Sequence, residues 1–345
     1  MSQLFESQII IQIGDRHFQV SRDIFSGPGD SPNFFTLGFG AFFASPAEVF
    51  PGLDRRGLLR PPAIVPPSVP NRCGDVFAQL VHLLRGYPLH IESEAQRAEL
   101  LRDCRYFHLR GLEQKLIPHH ISFNPIRRRS EIIIRLEDVR RSGIQVEAPS
   151  SSPESSDSGS GISVKYARPF ADDSAHDLIL EIGDESTIID LATMRPTFLN
   201  STQARVSSLL QVILHRKNSL DQSNSTAAAP VAHSTRAQID EETDLTIDGA
   251  QQVNNHQYHT TDSTSAGPAP KRRRVKVEGS ETASQYEEQD GSSSGSWLVR
   301  NGQWRISMRP GVSTGDGVEF VLVGVKLDVY TRERVRNRKQ AFLGS

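Results

Sequence analysis

The chain is short of several things at once. Among its 345 residues are two cysteines, Cys73 and Cys104. Two cannot build a disulfide framework, which favours a reducing compartment. No apolar run approaches the roughly 20 residues that a membrane helix needs. The opening MSQLFESQII has no basic start and carries Glu6, so it does not read as a secretory signal. Charge of one sign is scarce too: the net charge is -2, and no whole-chain attraction to nucleic acid or an anionic membrane follows. Hydrophobic residues make up 37% and the mean hydropathy is -0.41, low for one compact globule. Disordered stretches diluting ordered ones are therefore expected, in a soluble intracellular protein with room for two domains.

The usual constellations of catalysis are missing as well. Gly38 and Gly40 are not followed by the Lys-Ser/Thr of a phosphate loop. Asp172, Asp173 and Asp177 stand near His176, but no nucleophile or glycine elbow accompanies them. His82, His90, His108, His119 and His120 lack the spacing of a metal site, and the two cysteines are not paired. No enzymatic activity, cofactor or metal is expected.

What the chain does have is a long helical beat over 76–116. Phe77, Leu80, Val81 and Leu84 fall on one helix face. Asp75 precedes them as a candidate cap, and Gly86 and Pro88 stop the helix. A second helix opens on Ser93 and Gln96 in capping-box spacing and carries Leu100, Leu101, Cys104 and Phe107. Leu109, Leu112 and Leu116 extend the stripe to Pro118. Such faces need a sheet to bury them. Upstream, β-branched residues from Ile9 to Ile13 and the run His17 to Val20 flank Gly14 and Asp15, a hairpin signal. Phe34, Phe35, Leu37, Phe39, Phe42 and Phe43 call for burial, and Ile64 and Val65 sit in a proline-punctuated extended stretch.

Beyond Pro118 the text turns to strands. Residues 131–136 read as one, and 177–182 with 187–191 around Gly183 and Asp184 read as a hairpin. Residues 150–161 read as a linker, and 205–215 as a short helix. Residues 217–295 show no periodicity and are expected to be disordered. Trp297 and Trp304 bracket Asn301-Gly302, the pair favoured in two-residue hairpins, and 318–330 is the strongest strand text, with Gly324 as a break or bulge. This gives domains at 5–120 and at 130–215 with 296–340, the latter β-rich and split by a disordered insertion at 217–295.

The first third resembles a BTB/POZ domain of the potassium-channel-tetramerisation type, as in fungal members. The resemblance rests on the run from Ile9 to Arg22, on Ser31, Pro32, Asn33, Phe34 and Phe35, on Asp54 and Arg55, on FAQLVHLLRGYPL from Phe77, and on LRDCRYFHLRGL from Leu101. Asp15 stands where the family has a second glycine, and Tyr106 and Phe107 are in swapped order. The resemblance implies an α+β chain: an N-terminal BTB/POZ-like α/β module followed by a mostly β part interrupted by disorder. Phe18, Phe77, Leu80, Leu84, Leu101, Phe107 and Leu112 would form its core. It implies a homo-oligomer that binds other proteins and either serves a cullin scaffold of a ubiquitin ligase or recruits transcriptional regulators; no residue is assigned to cullin contact.

One further motif carries function. Lys271, Arg272, Arg273, Arg274 and Lys276 put five cations in six positions after Pro270, within a polar stretch. An extended basic run suits an acidic groove, each cation meeting its own carboxylate, and it resembles a monopartite nuclear-import signal read by an import receptor. Arg127, Arg128 and Arg129, Arg140 and Arg141, and the series Arg332, Arg334, Arg336, Arg338 and Lys339 read as solvated charge, because no aromatics interleave with them. The reading is a non-enzymatic, self-associating adaptor of nucleus and cytoplasm. The alternative is a nuclear regulator touching nucleic acid through its basic segments.

Overall fold

The computed structural model describes residues 8–40, 67–147, 162–221, 233–252, 295–310, 317–331 and 334–335. Near the N-terminus, β1 (Gln8–Ile13) and β2 (Arg16–Ser21) pair antiparallel across a turn at Gly14. Gly14 has φ +58°, and a Cβ there would meet the Arg72 carbonyl oxygen at 2.8 Å, so the turn needs glycine for both reasons. β3 (Ser68–Val69) adds parallel to β1, giving the order β2-β1-β3. Alternation along β1 puts Ile9, Ile11 and Ile13 inside.

Four helices cover this small sheet. α1 (Phe34–Gly38) starts on a capping box, with Asn33 accepting from the Thr36 amide and Thr36 accepting from the Asn33 amide. α2 (Gly74–Leu84) starts after Cys73, not at a capping Asp75; Asp75 lies inside the first turn and pairs with Arg16. α3 (Glu94–Phe107) is capped by Ser93, which accepts from the Gln96 amide at 3.1 Å. It ends on His108 in the left-handed region, and α4 (Arg110–Leu116) follows at once. The N-terminus of α4 rests on buried Asp30, whose carboxylate accepts from the Leu112 amide at 3.0 Å. After β2 the chain turns through residues 22–25.

The greater part of the fold is a single curled sheet of twelve strands. Its strands are β4 (His119–Asn124), β5 (Arg129–Arg135), β6 (Ile144–Glu147), β7 (Ile162–Tyr166), β8 (His176–Ile182), β9 (Thr187–Asp190), β10 (Arg195–Phe198), β11 (His233–Gln238), β12 (Asp244–Ile247), β13 (Ala250–Gln252), β14 (Ser296–Pro310) and β15 (Val318–Thr331). The main path runs β13-β12-β15-β14-β7-β8-β5-β4. A helix, α5 (Asn200–Asp221), buries Val206, Leu209, Leu210 and Ile213. Antiparallel β14 and β15 form the central ribbon. The outer edge of β15 takes β11 and then β12, both parallel and end to end. The outer edge of β14 takes β9, β8 and β7 in succession. One cluster of buried apolar side chains runs from Ile9 through Leu180 to Val329, so the helices and the large sheet share a core.

Several expectations are overturned. The α+β class, with an N-terminal BTB/POZ-like α/β module, gives way to a mostly β chain: 41% strand against 29% helix, centred on the twelve-stranded sheet. Helical periodicity is conspicuous locally, whereas most of the sheet comes from short strands with distant partners. Residues 233–252, within the stretch expected to be disordered, supply β11, β12 and β13. The two later hairpins do not close either. β8 and β9 are not partners; Gly302 to Arg305 of β14 pair with β8 and Ser296 to Val299 with β9, so the two are successive segments on one edge. Asn301-Gly302 is likewise no turn. β14 runs straight through it with a bulge, because both its edges are taken. The break or bulge expected at Gly324 is present, as a register shift of β15 against Gln303 and Trp304.

Candidate protein-interaction surface

The residues singled out from the sequence for the core occupy one aromatic cluster. Phe77, Leu80 and Phe107 are fully buried, Leu101 and Leu112 nearly so, while Phe18 and Leu84 are half-buried at its rim. Phe35 is the hub, stacked on Phe25 at 4.5 Å and on Phe107 at 5.1 Å between ring centroids. Phe18 meets Phe77 edge-on at 5.0 Å. Arg72 lies 3.7 Å above the Tyr106 ring and donates to buried Asp103 at 3.0 Å. All of these side chains hold the fold; none presents chemistry to a ligand. The basic run Lys271, Arg272, Arg273, Arg274 and Lys276, and Phe42, Phe43, Asp54, Arg55, Ile64 and Val65, lie outside the described residues.

Two polar clusters fasten the helices to the sheet. Glu113, on α4 and buried, accepts from Arg105 at 2.8 Å and from Arg140 at 2.6 Å. The Arg140 amide in turn donates to the Tyr166 hydroxyl at 3.1 Å. The second cluster centres on Arg168. Its guanidinium donates to Asp172 at 2.6 Å and to the Gln114 carbonyl at 3.2 Å, and lies 3.1 Å from His119 Nδ1. Burial raises the Asp172 carboxyl, but the hydrogen bonds and charge of Arg168 outweigh it and hold it below its ordinary value. Burial lowers His119, the Ile117 carbonyl opposes this, and the charge of Arg168 lowers it further. The carboxylates near His176 do not converge: Asp172 faces Arg168, Asp177 lies 3.6 Å from Arg129, and His176 meets Ser130 at 2.8 Å. Among the described residues, no group of His, Cys, Asp and Glu is arranged to hold a metal ion. No described helix is long and apolar enough to cross a membrane.

A cavity of about 590 Å³ lies between α3, the 3-10 turn after β5, the kink between β8 and β9, and the start of α5. Arg105, Arg140 and Arg205 face Glu137, Asp138 and Asp184 there, so its charge is mixed. Trp297 and Trp304 are core side chains, 8% and 0% exposed, and anchor no peptide. Among the described basic residues, Arg129 is held by Asp177, Arg140 by Glu113, and Arg334 by the Asp248 carbonyl and the Tyr330 ring; Arg332, Arg336, Arg338 and Lys339 lie outside the described residues.

The feature missed at the sequence level is β4. It ends the main path of the sheet, paired with β5 alone among the described residues. Ile121 sits opposite fully buried Ile132, and Phe123 opposite Ser130, so both lie on the face that buries the core. Yet Ile121 is 38% exposed, Phe123 65% and Ile126, in the following turn, 75%. The alternation in His119, His120, Ile121, Ser122 and Phe123 was the available signal; it is short, and two of its five residues are histidine.

The chain is 36% identical over 138 residues to the uncharacterized protein YDR132C of Saccharomyces cerevisiae, a stretch that is 40% of this chain and 27% of that protein. It is 30% identical over 135 residues to the BTB/POZ domain-containing protein YLR108C of the same yeast, 39% of this chain and 27% of that one. The chain thus matches about a quarter of the length of these curated relatives. No family model matches. The likeness to YLR108C points to a BTB-like domain, a protein-interaction class.

Proposed function

We propose that this protein is a non-enzymatic adaptor that self-associates and presents bound proteins to a larger assembly in the nucleus. The observation that carries the reading is the partial identity to a BTB/POZ domain-containing protein. The exposed apolar edge at Ile121, Phe123 and Ile126 supports it, because uncovered apolar surface of this kind marks contact sites. A ubiquitin-ligase cullin is the scaffold such an adaptor would serve, and residues 271–276 are the segment an import receptor would take. Multi-angle light scattering of the full chain tests self-association: a dimer or larger species is expected, and a strict monomer at high concentration overturns it. A reporter fusion tests the localisation. Alanine at Lys271, Arg272, Arg273, Arg274 and Lys276 is expected to shift it from nucleus to cytoplasm, and an unchanged nuclear pattern removes that assignment.

A further inference from the structure

We infer that the β4 edge captures an extended acidic segment of a partner protein by strand addition. The inference rests on the adaptor reading and names the surface through which it works. Three observations meet at this edge. β4 is a terminal strand whose six residues, HHISFN, contain neither the lysine nor the proline by which edge strands discourage pairing. Its apolar side chains, Ile121 and Phe123, continue the buried face of Ile132 and Ile134 past the point where the described chain covers it. Residues 119–130 contain three arginines and no carboxylate.

The arrangement of that charge selects the occupant. Arg127 lies 4.0 Å from buried Glu131, which also accepts from Asn124 and Arg305, and Arg129 lies 3.6 Å from buried Asp177. The local carboxylates are therefore inside the fold and already engaged. Arg128 is exposed at the turn, in the left-handed region with φ 51°. An incoming strand with acidic residues would meet Arg128 at one end and the exposed His120 at the other. Its alternate apolar residues would lie beside Ile121 and Phe123, and main-chain hydrogen bonds would supply affinity without sequence preference. A second copy of this chain fits less well, since its own β4 hairpin would bring the same arginines and no acid.

Fluorescence polarisation on the full chain tests this with a labelled peptide of alternating glutamate and valine, as long as β4. Binding that weakens with salt is expected. A peptide of alternating lysine and valine, or the glutamate peptide N-methylated on alternate amides, should bind about tenfold more weakly or worse. Phe123→Asp and Arg128→Glu should each weaken binding similarly, both at exposed positions that leave the fold's melting temperature near that of the parent. Tyr87→Ser, at an exposed aromatic on another element, should leave binding unchanged. No binding of the glutamate peptide, equal binding of its N-methylated form, or indifference to Phe123→Asp overturns the proposal. So does light scattering in which Phe123→Asp splits an oligomer into monomers, because the edge is then covered by a second copy. An intact oligomer with no peptide binding removes this inference and leaves the adaptor reading standing.

Discussion

Phe35 illustrates how much one side chain holds here. It stacks on Phe25 and Phe107 and lies 5.8 Å from Phe77, so its loss opens a cavity that those rings cannot refill. Phe35→Ala is expected to cost about 3–5 kcal/mol, read as a fall in the denaturation midpoint. The two leucines of α2 should differ. Leu80 is fully buried and Leu84 half-buried, so Leu80→Asp should abolish soluble folded protein where Leu84→Asp only lowers the melting temperature. His119 gives a pH dependence. Its folded value is lowered, so the unfolded chain binds the extra proton first, and stability is lost as pH falls through the ordinary histidine range near 6.5. Arg168, Asp172 and Arg97 are the charges that act on it. A melting-temperature series from pH 8 to pH 5 should fall more steeply for the parent than for His119→Gln. Equal slopes would remove His119 from the account. Helix-face residues were readable in advance because a period of 3.6 marks burial directly; Leu84 was placed too deep because periodicity does not say where a helix leaves its neighbour.

At the scale of elements, β14 shows where reading the sequence stops. Asn301-Gly302 has the composition of a tight turn, and the flanking tryptophans fit cross-strand neighbours, so a local rule predicts a hairpin. Instead Trp304 folds its indole over Gly302, where a Cβ would lie 2.5 Å from Nε1. The glycine makes room for a buried ring in a strand that carries on. Gly302→Ala should therefore destabilise by about 1–3 kcal/mol, seen in thermal melts, although alanine has the better intrinsic fit to a strand. The kink between β8 and β9 has the same origin. Asp184 and Glu185 adopt φ 60° and 50°, and the chain re-engages the same edge of β14 rather than turning back on itself. Alternation identifies a strand and its buried face, but it cannot name the partner. β11, β12 and β13 were hidden for a further reason: their polar text is strand-like only where β11 and β12 lie beside β15 and β13 beside β12.

For the whole molecule, the polar seams decide whether helices and sheet behave as one body. Breaking the buried Arg168–Asp172 pair leaves a carboxylate without its cation, and the Gln114 carbonyl loses its donor. Arg168→Met is expected to lower stability by about 3–5 kcal/mol. With a shared apolar core, calorimetry should still show one transition; a split into two would mean that the seam, and not the core, makes the unit. The candidate interaction edge was less legible than the core. A strand at the margin of a sheet looks like any other strand until its neighbours are counted.

The placement of β14 and β15 sets a constraint on biosynthesis. The two central strands are the last strands of the described chain, and β7, β8, β9, β11 and β12 all pair with one or the other. While the ribosome is still making residues before 296, these segments have lost the tunnel's protection and not yet gained their partners. The nascent protein must hold five open strand edges in a crowded cell until residues 296–331 emerge, which lengthens the window in which misfolding and aggregation compete with folding.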